Sequence, residues 1–277
     1  MTPLIPMDIH SHSEYSMDAN YPIATMCESA LKKGVGVFAV TDHYDIKKGA
    51  TDFSRLDASI RNSLKDTLAA KGRFRDDMLI FTGIELGQAL DNPAKAEEIL
   101  SSHDFDYVIG ALHNAPDRID LFHYDPVSNP VDLEDELERY FSNLLALVRW
   151  GRFDSVAHIS YPFRYILSFH PDFPAGKWDS HLEAIVREIA AKGLAMELNT
   201  SGVNRPTPPR FMPEARWVKR FRELGGEKLT LGADSHVPST VAAGIIEGTR
   251  IALDAGFSRI CYFKNRKAQF IELESIR

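Results

Sequence analysis

Seven short apolar runs recur along the chain, at 7–10, 35–41, 78–83, 107–112, 155–158, 195–198 and 229–232. Amphipathic stretches separate them, at 23–33, 57–70, 95–101, 133–148, 178–192 and 213–224, with a last helical region inside 238–255. Strand-length runs that alternate with helix-length periodic segments imply β/α units and a parallel sheet, because parallel neighbours need a long crossover between them. The simplest closed solution is an α/β barrel of seven strands; an open doubly wound sheet is the alternative. The 277 residues suit one barrel of about 250, with neither a linker nor a repeat, so a single domain over 1–277 is expected. Residues 259–263 and 268–273 flank the basic stretch Lys264-Asn265-Arg266-Lys267. They predict a C-terminal β-hairpin outside the main repeat, with the charges of its turn in solvent.

The ends of the runs carry the chemistry. The first ends in Asp8-Ile9-His10-Ser11-His12, the second in Thr41-Asp42-His43 and the third in Gly83-Ile84-Glu85. The fourth ends at His113, the fifth at His158, the sixth in Glu197-Leu198-Asn199 and the seventh in Gly232-Ala233-Asp234-Ser235-His236. Six of the ten histidines therefore sit at strand ends. In a parallel barrel all these ends open on one face, so residues distant in sequence meet there. Each histidine alone is weak evidence. His10 and His12, two apart on a strand, point the same way and suit one ion. The mixture of imidazole and carboxylate suits zinc, iron or manganese and not the all-oxygen shells of magnesium or calcium. Asp8 and Asp42 abut candidate ligands, where they either orient imidazoles or hold turns.

Composition narrows the function. With 32 basic and 39 acidic side chains the net charge is −7, which gives no bulk attraction to long nucleic acid or anionic lipid. The apolar runs are far short of the roughly 20 residues of a membrane span. The opening Met-Thr-Pro-Leu-Ile-Pro has no basic segment followed by an apolar one, as a secretory leader would. Cys27 and Cys261, the two cysteines, make neither a disulfide framework nor a CxxC zinc site, and point to a reducing cytoplasm. Phosphate loops of the P-loop or dinucleotide type and a GxSxG elbow are missing, which removes support for kinase and serine-hydrolase chemistry.

Taken together, Asp8-Ile9-His10-Ser11-His12, Thr41-Asp42-His43, Gly83-Ile84-Glu85, His113, His158 and Gly232-Ala233-Asp234-Ser235-His236 resemble, in order and spacing, the motifs of the PHP (polymerase and histidinol phosphatase) superfamily. The resemblance runs from residue 7 to about 236 and implies a distorted (β/α)7 TIM-like barrel with three divalent metal ions. It implies a first metal on His10, His12, Glu85 and Asp234, and a second on Glu85, His113 and His158 with Glu85 as the bridge. A third would rest on Asp18, His43 and His236. Many members of the superfamily have histidine where Asp18 stands, and the histidinol-phosphatase branch has aspartate; Glu14 is the nearby competitor. Glu197-Leu198-Asn199-Thr200-Ser201-Gly202 and the closing Tyr262-Phe263-Lys264-Asn265-Arg266-Lys267 also resemble that branch. Glu197 then either faces a substrate amine or is a structural acid.

Phosphate monoesters call for fork-shaped donors. Arg164, in the loop after the fifth strand, and Arg205, in the loop after the sixth, belong on the metal face; Arg118 is a weaker third candidate. His123 reads as an exposed loop residue that could line the mouth of the pocket. His103, His170 and His181 read as surface or capping residues, and the aromatic side chains of 137–150 as core.

The expected activity is metal-assisted hydrolysis of a small phosphate monoester, with L-histidinol phosphate, an intermediate of histidine biosynthesis, as the leading substrate. Glu85 is the bridging ligand in that reading, and the leaving alkoxide falls to Asp234 or to water on a metal. The rivals are a nucleotide phosphatase or nuclease of the same superfamily, and a barrel in which metals only stabilise the fold.

Overall fold

The computed structural model describes residues 7–273; the opening hexapeptide and the two outermost ends of the expected single domain lie outside them. The apolar runs become parallel strands. β1 (Val37–Val40) and β2 (His43–Asp45) follow one another along β3 (Leu79–Gly87), with Val37 opposite Leu79 and His43 opposite Glu85. β4 (Tyr107–Ala111), β5 (Ser155–Val156), β6 (Ala195–Asn199) and β7 (Leu229–Gly232) continue the sheet in the order β1-β3-β4-β5-β6-β7. Its strands are buried along almost their whole length, as a sheet covered on both faces requires.

The run at 7–10 is not a regular strand. It joins the two edges of the sheet. The Asp8 N–H donates to the Val37 carbonyl at 2.9 Å, and the Ile9 N–H donates to Leu231, on the other side, at 3.2 Å. His12 N–H then donates to Ser235 at 2.9 Å. A segment that alternates between neighbours builds no ladder with either, yet it closes the curled sheet into a distorted barrel of seven rungs.

The helices are α1 (Ile23–Lys32), α2 (Ser54–Arg73), α3 (Pro93–Ser102), α4 (Leu133–Trp150), α5 (Tyr161–Phe169), α6 (Asp179–Ala191), α7 (Ala215–Glu223) and α8 (Ile245–Asp254). α4 shows why the periodic segments fold as they do. Asp132 caps it by accepting from the N–H groups of Glu134 and Asp135, and Gly151 ends it in the left-handed region at φ 62°. Leu137, Tyr140, Phe141, Leu144, Leu147 and Val148 form its buried stripe, so these aromatic side chains are core. α5 has no such stripe: Tyr161, Pro162, Phe163, Arg164, Tyr165 and Ile166 are all buried. Its last turn alone is exposed, at Ser168 and Phe169; six consecutive buried residues that include a proline and an arginine read as loop in the sequence.

β8 (Arg259–Lys264) and β9 (Lys267–Glu272) form the expected antiparallel hairpin. It packs at the starts of the strands, with Phe263 stacked on Tyr107 at 5.2 Å between ring centroids. The turn is not simply solvated. Arg266 Nε donates to Asp154 Oδ2 at 2.6 Å, and the Asn265 N–H donates to Asp106 Oδ1 at 3.0 Å. The hairpin thus covers the end of the barrel opposite the histidine-rich ends.

Candidate metal centre

The barrel brings the nine residues His10, His12, Asp18, His43, Glu85, His113, His158, Asp234 and His236 into one cup. Glu85, fully buried on β3, lies at its centre. Its Oε2 stands 3.3 Å from His10 Nε2, 3.5 Å from His12 Nε2 and 2.9 Å from His43 Nδ1. Its Oε1 stands 3.3 Å from His113 Nε2 and 3.1 Å from His158 Nε2. Asp234 Oδ1 lies 3.2 Å from His12 Nε2 and 3.6 Å from His10 Nε2. Asp18 Oδ2 lies 3.0 Å from His236 Nε2 and 3.6 Å from His43 Nε2. His43 therefore presents one ring nitrogen to Glu85 and the other to Asp18. Glu14 is exposed and does not line the cavity above the cup. His158 and Asp234 hold φ angles of 22° and 51°. Such left-handed backbone costs about 1–3 kcal/mol per residue and persists where surrounding structure enforces it, commonly at functional sites.

The supporting groups set the imidazole tautomers. His10 Nδ1 donates to Glu197 Oε1 at 2.6 Å, which leaves Nε2 as the free lone pair toward Glu85 and Asp234. Glu197 Oε2 accepts from the His158 N–H at 2.9 Å and from Asn199 Nδ2 at 3.2 Å. With both oxygens engaged and 1% of its surface exposed, Glu197 lies beneath the cup. It does not face the cavity, and the expectation that it meets a substrate amine is corrected accordingly. Gly232 makes room for this pair, since a Cβ there would collide with the His10 side chain and crowd Glu197.

Asp42 reaches an imidazole only indirectly. Ser16 Oγ donates to Asp42 Oδ1 at 2.7 Å and accepts from His12 Nδ1 at 3.1 Å. Asp42 also accepts from the Ser13 N–H at 2.6 Å, Ser13 Oγ at 2.7 Å and Ser63 Oγ at 2.5 Å. Asp8 orients no ring; it accepts from the N–H groups of Ala233 at 2.8 Å and Ala242 at 2.7 Å, and burial pushes its pKa up to about 6. Replacing Asp42 by alanine strands several buried donors, so a destabilisation of about 3 kcal/mol is expected. Urea unfolding measures it; a midpoint equal to wild type would show that the network carries no stability.

Charge in the cup is concentrated. Burial opposes a proton on His10, but Glu197, Glu85 and Asp234 outweigh it and raise its pKa well above the ordinary value. His113 is raised in the same way against burial, by Asp45 and Glu85. His12 goes the other way: burial, then the neighbouring His236 and His43, push it down to about 4. Burial pushes Glu85 and Asp234 up, yet the surrounding imidazoles hold both carboxylates well below their usual range.

The buried Nε2 atoms of His10, His12 and His236 and Oε2 of Glu85 have no hydrogen-bond partner. Buried polar atoms without partners are rare and costly. The donor atoms of His10, His12 and Asp234, of His43, Glu85 and His113, and of His12, His43 and His236 each lie within 4.8 Å of one another. Imidazole nitrogens mixed with carboxylate oxygens at these separations fit divalent metal ions.

Metal and proton then compete for the same atoms. Because His10 and His113 are raised, each holds its proton to a higher pH than a free imidazole and must release it to a metal. Apparent affinity should therefore fall about tenfold per pH unit of acidification for each proton displaced. Competition with a zinc-binding dye at several pH values measures this, and an affinity independent of pH would contradict it.

Above the cup lies a cavity of about 620 Å³. Arg164 and Arg205 both line it. Arg164 is on α5 rather than in a loop, and it is 5% exposed. Its Nη2 donates to Asn199 Oδ1 at 3.3 Å and to Ser201 Oγ, and its Nη1 lies 3.8 Å from Asp234 Oδ2. Arg205 lies over the Tyr165 ring, 5.3 Å from its centroid. Arg118 is committed elsewhere, to Asp135 and Glu136.

His123 is exposed and also lines the cavity. His103, His170 and His181 pair with Ser102, Tyr124 and Glu138, away from the cup. The sequence analysis missed Asp45, Asp120, Phe122, Tyr161 and Tyr165, which all line the cavity. Asp45 follows His43 by two, the same spacing as His10 and His12, so period-two reasoning could have found it; the others lie in a loop and on the short helix α5, outside the strand ends.

Comparison with known proteins accords with this geometry. The PHP domain profile matches residues 8–201. A probable histidinol-phosphatase of Clostridium acetobutylicum is 24% identical over 268 residues, covering 95% of this chain and 98% of the relative. The histidinol-phosphatase of Lactococcus lactis subsp. lactis is 25% identical over 262 residues, covering 94% and 95%. Among solved structures, histidinol phosphate phosphatase from L. lactis, in complex with zinc, L-histidinol and phosphate, aligns with a TM-score of 0.78 at 25% identity over 96% of this chain and 99% of that one. A Listeria monocytogenes structure described as a histidinol phosphatase shares the fold at a TM-score of 0.72 and 17% identity, over 87% and 99%. With the profile spanning the strand-end motifs from Asp8 to Glu197 and the likeness extending along the whole barrel, the chain belongs to the PHP domain family.

Proposed function

We propose that this protein is a phosphoric monoester hydrolase that converts L-histidinol phosphate to L-histidinol and phosphate, with three divalent metal ions in the cup. The observation that carries the reading is the cavity itself, where Arg164 and Arg205 line the same wall system as five imidazoles and five carboxylates. Full-length likeness to histidinol-phosphatases supports the substrate. His10, His12, Glu85 and Asp234 would hold the first ion, Glu85, His113 and His158 the second, and Asp18, His43 and His236 the third. Zinc, iron and manganese all suit such ligands. Ions bound there supply Lewis-acid polarisation of the phosphoryl oxygens and lower the pKa of water toward neutrality.

The protein's own part is positional. Glu197 and Ser16 fix the tautomers of His10 and His12, so that each presents a lone pair. Glu85 offers one oxygen to His10, His12 and His43 and the other to His113 and His158, so its carboxylate would serve ions on both sides. Arg164 and Arg205 orient the phosphate and offset charge on its non-bridging oxygens. Asp234, 3.8 Å from Arg164 Nη1 and held ionised by the surrounding imidazoles, has no proton to give the leaving alkoxide, which would take one from water in the cavity. Two free, buried cysteines accord with a reducing cytoplasm on this reading, and no helix among the described residues is long and apolar enough to cross a membrane.

The test is a panel of phosphate monoesters assayed with the zinc- or manganese-loaded protein. L-histidinol phosphate should have the highest kcat/KM. Turnover of nucleoside monophosphates in its place would overturn the substrate assignment, and turnover of none would overturn the enzymatic reading.

A further inference from the structure

We propose that Asp120 binds a primary ammonium group of the phosphorylated substrate. The proposal deepens the reading of the cavity as a phosphate-ester site and rests on it. Five carboxylates line the cavity: Asp18, Asp45, Glu85, Asp120 and Asp234. Four of them stand among the clustered imidazoles. Even Asp45, absent from the metal sets above, has its Oδ1 3.5 Å from His113 Nδ1 and 3.8 Å from His43 Nδ1. Asp120 stands apart from that cluster, in the loop that follows β4.

Its geometry is that of a prepared acceptor. Asp120 is half-buried. One oxygen, Oδ1, is fixed by two donors, the Phe122 N–H at 2.9 Å and Tyr161 Oη at 2.8 Å. The other, Oδ2, has no partner, and no lysine or arginine among the described residues pairs with the carboxylate. Tyr161 is itself held in place, 5.0 Å from the His158 ring and 5.0 Å from Tyr165 between centroids. The acceptor is therefore positioned before a ligand arrives, which lowers the ordering cost of binding.

Arg164 and Arg205 meet the phosphate, and a substrate with phosphate alone would bury the Asp120 charge unpaired. A substrate that also carries an ammonium group supplies the missing donor, and a charge-assisted hydrogen bond of that kind is among the strong ones. The same carboxylate disfavours purely anionic esters, so it selects by repulsion as well as by attraction.

The experiment compares matched pairs: L-histidinol phosphate with its desamino analogue, and 3-aminopropyl phosphate with propyl phosphate. Wild type should favour the amine member of each pair by about 10- to 100-fold in kcat/KM, mostly through KM. Asp120→Asn keeps an oxygen for Phe122 and Tyr161, so the loop retains its cap, and an unchanged melting temperature verifies this. In that variant the preference should collapse to about threefold or less, and Asp120→Glu should restore part of it.

A preference equal to wild type in Asp120→Asn, or no preference in wild type, would overturn the assignment. If the chain hydrolyses no phosphate ester, the hydrolase reading fails separately, and calorimetry with the same pairs as ligands still decides the role of Asp120. Tighter binding of the amine members that Asp120→Asn abolishes supports it, and equal binding overturns it.

Discussion

Glu85→Gln should yield a folded protein that has lost at least one metal ion per chain and nearly all phosphatase activity. Five imidazoles crowd the two oxygens of Glu85 at 2.9–3.5 Å. A carboxylate there neutralises cations on both sides, while an amide offers one oxygen, no charge and an NH₂ group turned toward would-be ligands. If bridging supplies the several kcal/mol typical of a metal's charge stabilisation, the loss in kcat/KM is at least about 10³-fold. Elemental analysis of the purified variant, read beside its circular dichroism, checks both halves. Wild-type metal content together with a wild-type rate would remove Glu85 from the centre of the account.

Arg164→Ala should lower kcat/KM on phosphate monoesters by roughly 10- to 150-fold, the value of one charge-assisted hydrogen bond of about 1.5–3 kcal/mol. Arg164 is buried on α5, with its Nη2 already tied to Asn199 and Ser201. The fork is thus held rigid before phosphate arrives, and its buried Nε has no partner. Lysine, a single point donor on a flexible stem, should rescue poorly. Because Nη1 lies 3.8 Å from Asp234 Oδ2, metal content is measured alongside the rate. A variant that keeps its metals and loses less than about threefold in kcat/KM would show that Arg164 contributes little to phosphate binding.

Much of this arrangement was legible in the sequence, for a physical reason. Parallel strands all end on one face, so a chain that places His10, His12, His43, Glu85, His113, His158, Asp234 and His236 at strand ends has specified a cup without any long-range information. What the sequence could not express was direction. Glu197 sits at a strand end like the others, but its carboxylate turns under His10, and only the closed ring determines which side chains point into the cup and which brace it. Asp8 likewise serves two backbone amides instead of an imidazole.

The wall of the cavity above the cup was also hidden. α5 buries six consecutive residues from Tyr161 to Ile166, among them a proline and an arginine that do not read as helix core, and Asp120 lies in a loop with no motif. The first run was expected as a strand and forms single bridges, because its few residues divide their hydrogen bonds between the two edges they join.

The most direct test of the account is an anomalous-scattering crystal structure of the zinc-loaded protein. The account predicts three metal peaks in the cup, two of them in contact with Glu85 and the third beside His43, His236 and Asp18. Two or fewer peaks, or a Glu85 that touches only one ion, would contradict it.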